Sequence, residues 1–271
     1  MPKILIKGAY CMRIMTSNIW GNYFNNPPIE RADGLIYTYD KYNPDVIGFQ
    51  EVKDDWYETD LFKHLSKNYR FIATEIFYKD NDRHTPIAYK KDLKVIASGL
   101  EYLKTDWEDL SKAITWVVLE KPNKDGRFAV CNTHFWWPIG EKHDKIRTEN
   151  AIQMVNLAKF IQSKYFCPVF MIGDMNTKIS SDAFKVYKEN GVVNTYDVAK
   201  EKKDVSSLHG DPVRNSEGVL KGKTTTDDHT FSIDHILMID NSLSVSKHFV
   251  VEDQQTLDST DHSPVFIDVE I

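Results

Sequence analysis

The chain has 271 residues, 41% of them hydrophobic and 27% charged, with a formal net charge of −6. That length suits one large α/β domain or two small ones, and the apolar fraction supports a substantial core. The charge argues against strong non-specific nucleic-acid binding, and no apolar run is long enough for a transmembrane helix.

From the N-terminus, Lys7 breaks the apolar stretch too early for a signal peptide. A cytoplasmic location is therefore expected, or a secreted one if a signal has been removed. Residues 1–11 read as a dispensable leader to a single domain spanning 1–271, because the first strand opens only at about Arg13. Ala32, Leu35, Ile36 and Tyr39 recur at helical spacing, and Asn43-Pro44 ends that helix. Val46–Phe49 is continuously apolar, which suits a strand buried on both faces. Asp54 or Asp55 can cap a helix that turns Tyr57, Leu61 and Leu65 inward. Strand-like stretches follow at Phe71–Phe77, Pro86–Tyr89, Ile114–Leu119 and Phe128–Asn132. A helix is predicted over Asp144–Gln162, with Ala151, Met154, Val155, Ala158 and Ile161 as its apolar stripe. After a buried strand at Val169–Ile172, Ser181 begins a helix carrying Phe184 and Tyr187, and Gly191 ends it. Residues 197–228 are polar and read as a long surface loop, a candidate lid with Lys221 and Lys223 available to a phosphate. Ile233–Met238 and Pro264–Val269 close the chain as strands. Cys131 and Cys167 sit in or beside apolar runs and read as buried thiols, and with Cys11 they are too scattered for a zinc or disulfide framework.

The polar residues fall in a pattern. Asn18, Glu51, His134 and Asp174 each stand at the C-terminal end of an apolar strand. In layered α/β proteins such ends share an edge and face one crevice. Gly173-Asp174-Met175-Asn176 can orient a water against phosphorus, although Gly-Asp is also ordinary turn chemistry. Glu51 suits Mg²⁺, which takes oxygen ligands from one or two carboxylates; a solvated charge is the plainer alternative. His262, in Thr260-Asp261-His262-Ser263-Pro264, can act as an acid or base near neutral pH. Asp234 can orient that imidazole, whereas His235 must face the other side of its strand. His134 can donate to a phosphoryl oxygen beside Trp136 and Trp137, or be a core histidine among aromatics.

Taken together, these segments resemble the endonuclease/exonuclease/phosphatase superfamily. The matching words are Thr16-Ser17-Asn18-Ile19-Trp20, Pro44–Val52, Asn132-Thr133-His134, Gly173–Asn176, Ile233–Leu237 and Thr260–Pro264, spread over nearly the whole chain. The resemblance implies a four-layer α/β/β/α sandwich of two mixed β-sheets with helices outside. It implies Mg²⁺, with Mn²⁺ as a substitute, held by Glu51 with Asn18 beside it and Asp261 as a further contact. It assigns Asp174 and Asn176 to the attacking water, His262 with Asp234 to proton handling, and His134 to the charge on phosphorus. Which of His262 and Asp174 deprotonates water stays open. Apurinic endonucleases of the superfamily carry an acid where this chain has Trp20, and Asn18-Ile19-Trp20-Gly21 is closer to the neutral sphingomyelinase pattern.

The expectation is therefore a metal-dependent hydrolase of small or headgroup phosphoesters, with Trp20, Trp136 and Trp137 near the metal. A nuclease would need a basic groove that composition does not reveal. A non-catalytic binding protein would not need every acidic and imidazole group that is present here. A zinc hydrolase lacks any HExxH spacing.

Overall fold

The computed structural model describes residues 11–22, 26–72, 85–105, 112–122, 126–240 and 242–271. The first half runs β1 (Cys11–Asn18), α1 (Ala32–Tyr42), β2 (Val46–Gln50), α2 (Asp54–Tyr57), α3 (Asp60–Leu65), β3 (Tyr69–Ile72) and β4 (Ile87–Lys90). It continues with β5 (Lys94–Tyr102), β6 (Ala113–Glu120), β7 (Arg127–His134), α4 (Glu141–Tyr165), β8 (Val169–Asp174) and α5 (Asp182–Glu189). Short pieces follow: β9 (Val193–Asn194), α6 (Thr195–Val198), β10 (Glu201–Lys202), β11 (Val213–Arg214) and β12 (Leu220–Lys221). The chain ends with β13 (Asp234–Ile239), β14 (Ser244–Val250), α7 (Gln254–Leu257) and β15 (Val265–Glu270).

The strands form two large sheets, ordered β10-β14-β15-β1-β2-β4-β3 and β5-β6-β7-β8-β13-β9. Each is mixed: β1 runs parallel to β2 and β7 parallel to β8, while most other neighbours are antiparallel. Three apolar layers separate four layers of structure. Leu35, Tyr39, Trp56 and Leu61 pack α1, α2 and α3 onto Met15, Ile47 and Phe49 of the first sheet. Ile14, Val46 and Ile267 meet Val130, Phe170, Ile172 and Ile236 between the sheets. Ala151, Met154, Ala158, Phe184 and Tyr187 close α4 and α5 over Cys131 and Met171 of the second sheet. The period of two along each strand makes this possible, since Phe170 and Ile172 turn inward while Met171 turns to the helices. The expected sandwich is the observed one. No helix among the described residues is long and apolar enough to cross a membrane.

Several local expectations are refined. The helix expected after Asp54 or Asp55 is two short helices, and its side-chain cap is Thr59, whose Oγ1 accepts from Leu61 N at 3.2 Å. Asn43 leaves α1 in the left-handed conformation rather than an extended one. α4 is longer than its stripe predicted. β5 and β14 were not anticipated, because half-exposed, polar-interrupted strands such as Lys94–Tyr102 blur the alternation. Of the leader, residues 1–10 lie outside the described residues, whereas Cys11 belongs to β1 and pairs with Glu270. Of the Phe71–Phe77 stretch, residues 73–77 likewise lie outside them. The polar 197–228 segment is mostly irregular, but it adds β10 to a sheet edge and folds back on itself as the β11–β12 pair.

Candidate active site

The site is the polar last rung of the inter-sheet core. In the second sheet His134 lies in register with Asp174, and Asp174 with Asp234, so three neighbouring strands present one row. Two residues back along β8 the same inward face carries Ile172, and in β13 it carries Ile236. In the first sheet Asn18 ends β1 opposite Gln50, and Glu51 follows at once. Glu51 has φ of 62°, Trp20 of 57° and Asn176 of 47°. Left-handed backbone is costly for residues with a Cβ, and it clusters where side chains are aimed for function. Just below, Gln50 Nε2 donates to Asn132 Oδ1 at 2.6 Å and ties the two sheets together.

Asn18 joins the halves. Its Nδ2 donates to Glu51 Oε1 at 3.1 Å and to Asp174 Oδ2 at 3.0 Å, while its Oδ1 accepts from Trp20 N at 3.0 Å. The amide nitrogen, not the oxygen expected of a metal ligand, thus faces the carboxylates. Gly21 N donates to Glu51 Oε2 at 2.8 Å. His134 Nε2 stands 3.5 Å from Asp174 Oδ2 and 4.0 Å from Glu51 Oε1. Asn176 N donates to Asp174 Oδ1 at 2.9 Å, and the Asn176 amide donates to Phe135 O at 3.0 Å.

Across the crevice His262 Nδ1 is 2.8 Å from Asp234 Oδ2 and 4.0 Å from Asp174 Oδ2. Burial opposes the imidazolium, yet Asp234, Asp261 and Asp174 lift its pKa well above the ordinary value. Burial likewise opposes the Asp234 carboxylate, but the charge and hydrogen bond of His262 and the bond from Ser207 hold it low. Asp174 is raised to about 7, by burial first and by the charge of Asp234 second. Asp261 is also raised to about 7, chiefly by burial, with its Oδ2 3.9 Å from His262 Nε2. His235 points the other way, as alternation requires: its Nε2 meets Thr177 O at 2.8 Å and its ring packs on Phe184.

Glu51, His134 and Asp174 each offer a ligand atom within 4.8 Å of the others, and so do Asp174, Asp234 and His262. Buried Oδ1 atoms of Asp234 and Asp261 have no hydrogen-bond partner among the described residues. Hard oxygen donors lacking positive charge fit a divalent cation well.

Three contributors carried no sequence signal. Ser207 Oγ donates to Asp234 Oδ2 at 2.7 Å, although Ser207 sits in a segment that reads as a solvated loop. Lys112 Nζ lies 3.0 Å from His134 Nδ1 and thereby leaves the proton on Nε2. Arg31 lies buried beneath Trp20. Of the tryptophans, Trp20 packs on Arg31 under the site, Trp136 neighbours Lys112, and Trp137 is 68% exposed. Lys221 is engaged by Asp258 at 2.6 Å rather than held ready for a phosphate.

The model of the Endonuclease/Exonuclease/phosphatase family matches residues 15–262. Exodeoxyribonuclease III of Haemophilus influenzae is 28% identical over 168 residues, covering 59% of this chain and 58% of that enzyme. The match thus spans under two thirds of that enzyme's length. The crystal structure of an endonuclease/exonuclease/phosphatase family protein from Bacteroides thetaiotaomicron superposes with a TM-score of 0.77 at 17% identity, over 97% of this chain and 95% of that one. A mannosyl-6-phosphatase of the same organism gives 0.74 at 17% identity, over 96% and 100%. At such identities the structural likeness speaks for the fold, while the family match rests on the sequence. The chain belongs to the endonuclease/exonuclease/phosphatase family.

Proposed function

We propose that this protein is a Mg²⁺-dependent hydrolase of phosphoester bonds in small or headgroup substrates. The observation that carries the reading is the convergence on Asp174 Oδ2, which lies 3.0 Å from Asn18, 3.5 Å from His134 and 4.0 Å from His262. Glu51 would be the principal ligand for the cation, with Asp174 and Asp261 as further carboxylates available to it, and Mn²⁺ would substitute. When bound, such a cation polarises a phosphoryl oxygen and offsets the negative charge gathered there.

The remaining chemistry belongs to side chains. Asp174 and Asn176 hold the attacking water in line with phosphorus, and Asn18 keeps Asp174 and Glu51 at a fixed separation. His134, with Lys112 on its Nδ1, turns an Nε2–H toward the phosphoryl oxygens. His262, with Nδ1 held by Asp234, carries a proton on Nε2 that stabilises the growing charge and passes to the leaving oxygen as the ester bond breaks. Asp174, raised toward neutrality by its burial, accepts the proton from water. The pairing of β1 with β15, the first and last strands among the described residues, supports one domain carrying the whole site.

A nuclease is the second reading, favoured by the exodeoxyribonuclease III relative. The net charge of −6 and Trp20 in place of an acid weigh against it. The deciding experiment is a panel of phosphate monoesters, small diesters and duplex DNA, each with Mg²⁺ and with chelator. Turnover of small esters only in Mg²⁺ is expected; turnover of DNA alone would replace this reading with the second, and inactivity on every ester would overturn both.

A further inference from the structure

Arg31 is 1% exposed, and none of its hydrogen bonds among the described residues goes to a carboxylate. Its five N–H groups instead meet five backbone carbonyls. Nε donates to Asn26 O at 3.1 Å, Nη1 to Ile19 O and Ser259 O at 2.9 Å each, and Nη2 to Trp20 O at 2.6 Å and Gly21 O at 3.1 Å. The guanidinium lies over the Trp20 ring, 4.9 Å from its centroid, and over the Trp56 ring at 4.7 Å. Burial lowers the Arg31 pKa to about 10 against the charges of Asp261, Asp55, Glu51 and Glu30, none of which bonds it directly. Burying a cation with no bonded carboxylate is costly, so this arrangement calls for a function.

Two of those carbonyls belong to peptide groups whose other ends serve the site. In a trans peptide the C=O and N–H point in opposite directions. The Ile19 carbonyl accepts from Arg31, and the N–H of that same peptide, on Trp20, donates to Asn18 Oδ1. The Trp20 carbonyl accepts from Arg31 Nη2, and the N–H of that peptide, on Gly21, donates to Glu51 Oε2. Two successive peptide dipoles therefore stand between one guanidinium and two site residues. Trp56 Nε1 adds a second donor to Trp20 O at 3.3 Å. The remaining fork reaches Ser259 O, next to Thr260, whose Oγ1 donates to Asn18 O at 2.8 Å, and the chain continues directly to Asp261 and His262.

We infer that Arg31 is a positioning residue for the cation site: through the peptide groups between Ile19 and Gly21 it fixes Asn18 and Glu51, and through Ser259 it registers the His262 segment against them. The inference rests on the metal reading above. Hydrogen bonds in such a chain polarise one another, so the guanidinium strengthens the N–H donors that hold the Glu51 carboxylate in place. It also holds Trp20 in its left-handed conformation, the turn that aims both N–H groups at the site. A lysine has three donors and no fork, and cannot reproduce the arrangement.

The test compares wild type, Arg31→Lys and Trp56→Phe by two readouts: calorimetric titration with Mg²⁺ or Mn²⁺, and the metal dependence of turnover. Outer partners of metal ligands typically change affinity by about 10- to 100-fold. Arg31→Lys should weaken metal binding by about 10-fold or more, with kcat largely restored at saturating metal. Trp56→Phe, which keeps a ring beneath the guanidinium and loses the second donor to Trp20 O, should shift affinity in the same direction by a smaller factor. A purely structural role would lower the thermal midpoint of both variants and leave the metal affinity of the folded protein unchanged, and that result overturns the inference. If Arg31→Lys does not fold, an unshifted Trp56→Phe overturns it alone. A wild type that neither binds metal nor depends on it overturns the metal reading and this inference together, which separates the two failures.

Discussion

The Nδ1 of His262 lies 2.8 Å from Oδ2 of Asp234, and that same oxygen accepts from Ser207 Oγ at 2.7 Å. Both imidazole and carboxylate are buried, so each keeps its charge through the other. Groups that act as one unit lose function together. His262→Ala and Asp234→Ala should each slow turnover by about 10²- to 10⁴-fold. The double variant should cost little more than either single one. Losses that multiply, measured as kcat/KM, would mean that the residues act independently.

Removal of the divalent cation should abolish turnover. Ligand at about 100 times its dissociation constant stabilises a folded protein by about 2.7 kcal/mol. Saturating Mg²⁺ or Mn²⁺ should therefore raise the thermal midpoint of the wild type, and Glu51→Gln should lose both that rise and most of the activity while remaining folded. Full activity in excess chelator contradicts the metal assignment.

His235 and His248 lie away from the reacting groups, and burial lowers them to about 4 and about 3. Their folded values lie below the unfolded one, so between pH 6.5 and 4 the unfolded chain binds more protons. Stability from these groups is complete above pH 6.5 and falls as the solution is acidified through that window. Each contributes a slope of up to about 1.4 kcal/mol per pH unit. The raised carboxyls Asp174 and Asp261 slope the other way over much of the same range, so the comparison must be with a variant. His248→Asn keeps a donor near Thr195 Oγ1 without the titration, and urea denaturation across the window should show a flatter acid limb. An unchanged limb rejects the assignment.

Gly173 has φ of 140°, and a Cβ there would sit 2.0 Å from Thr133 O in the neighbouring strand. Rigid backbone on both sides leaves nothing to yield. Gly173→Ala should cost about 3 kcal/mol or more and displace Asp174. A thermal midpoint within a degree or two of wild type would refute this.

Substrate size should show in salt dependence. A small ester contacts few charges, so its KM should vary weakly with ionic strength, whereas a long polyanion gives a steep slope. kcat/KM for a small-ester panel and for duplex DNA across a salt series separates the two. Faster cleavage of DNA with a steep slope would favour the nuclease.

That Asn18, Glu51, His134, Asp174, Asp234 and His262 lie at strand ends and gather in one place was legible in the sequence. Asn18, Glu51, His134 and Asp174 each close an apolar run, Asp234 opens one and His262 precedes one, and alternation alone separated Asp234 from His235. The sandwich followed from resemblance rather than from periodicity, and three packed apolar layers account for it. What partners each charge was decided only by tertiary structure. Ser207 reaches Asp234 from a polar segment that reads as solvent-exposed, Lys112 reaches His134 from just before the neighbouring strand, and Arg31 meets Ser259 across most of the chain. Lys221, free by sequence, is held by Asp258. Local patterning records which face of a strand or helix is apolar, because that is fixed by the geometry of a few consecutive residues. The pairing of buried polar groups depends on which distant segments fill the same space, and the sequence neighbourhood of either partner carries no trace of it.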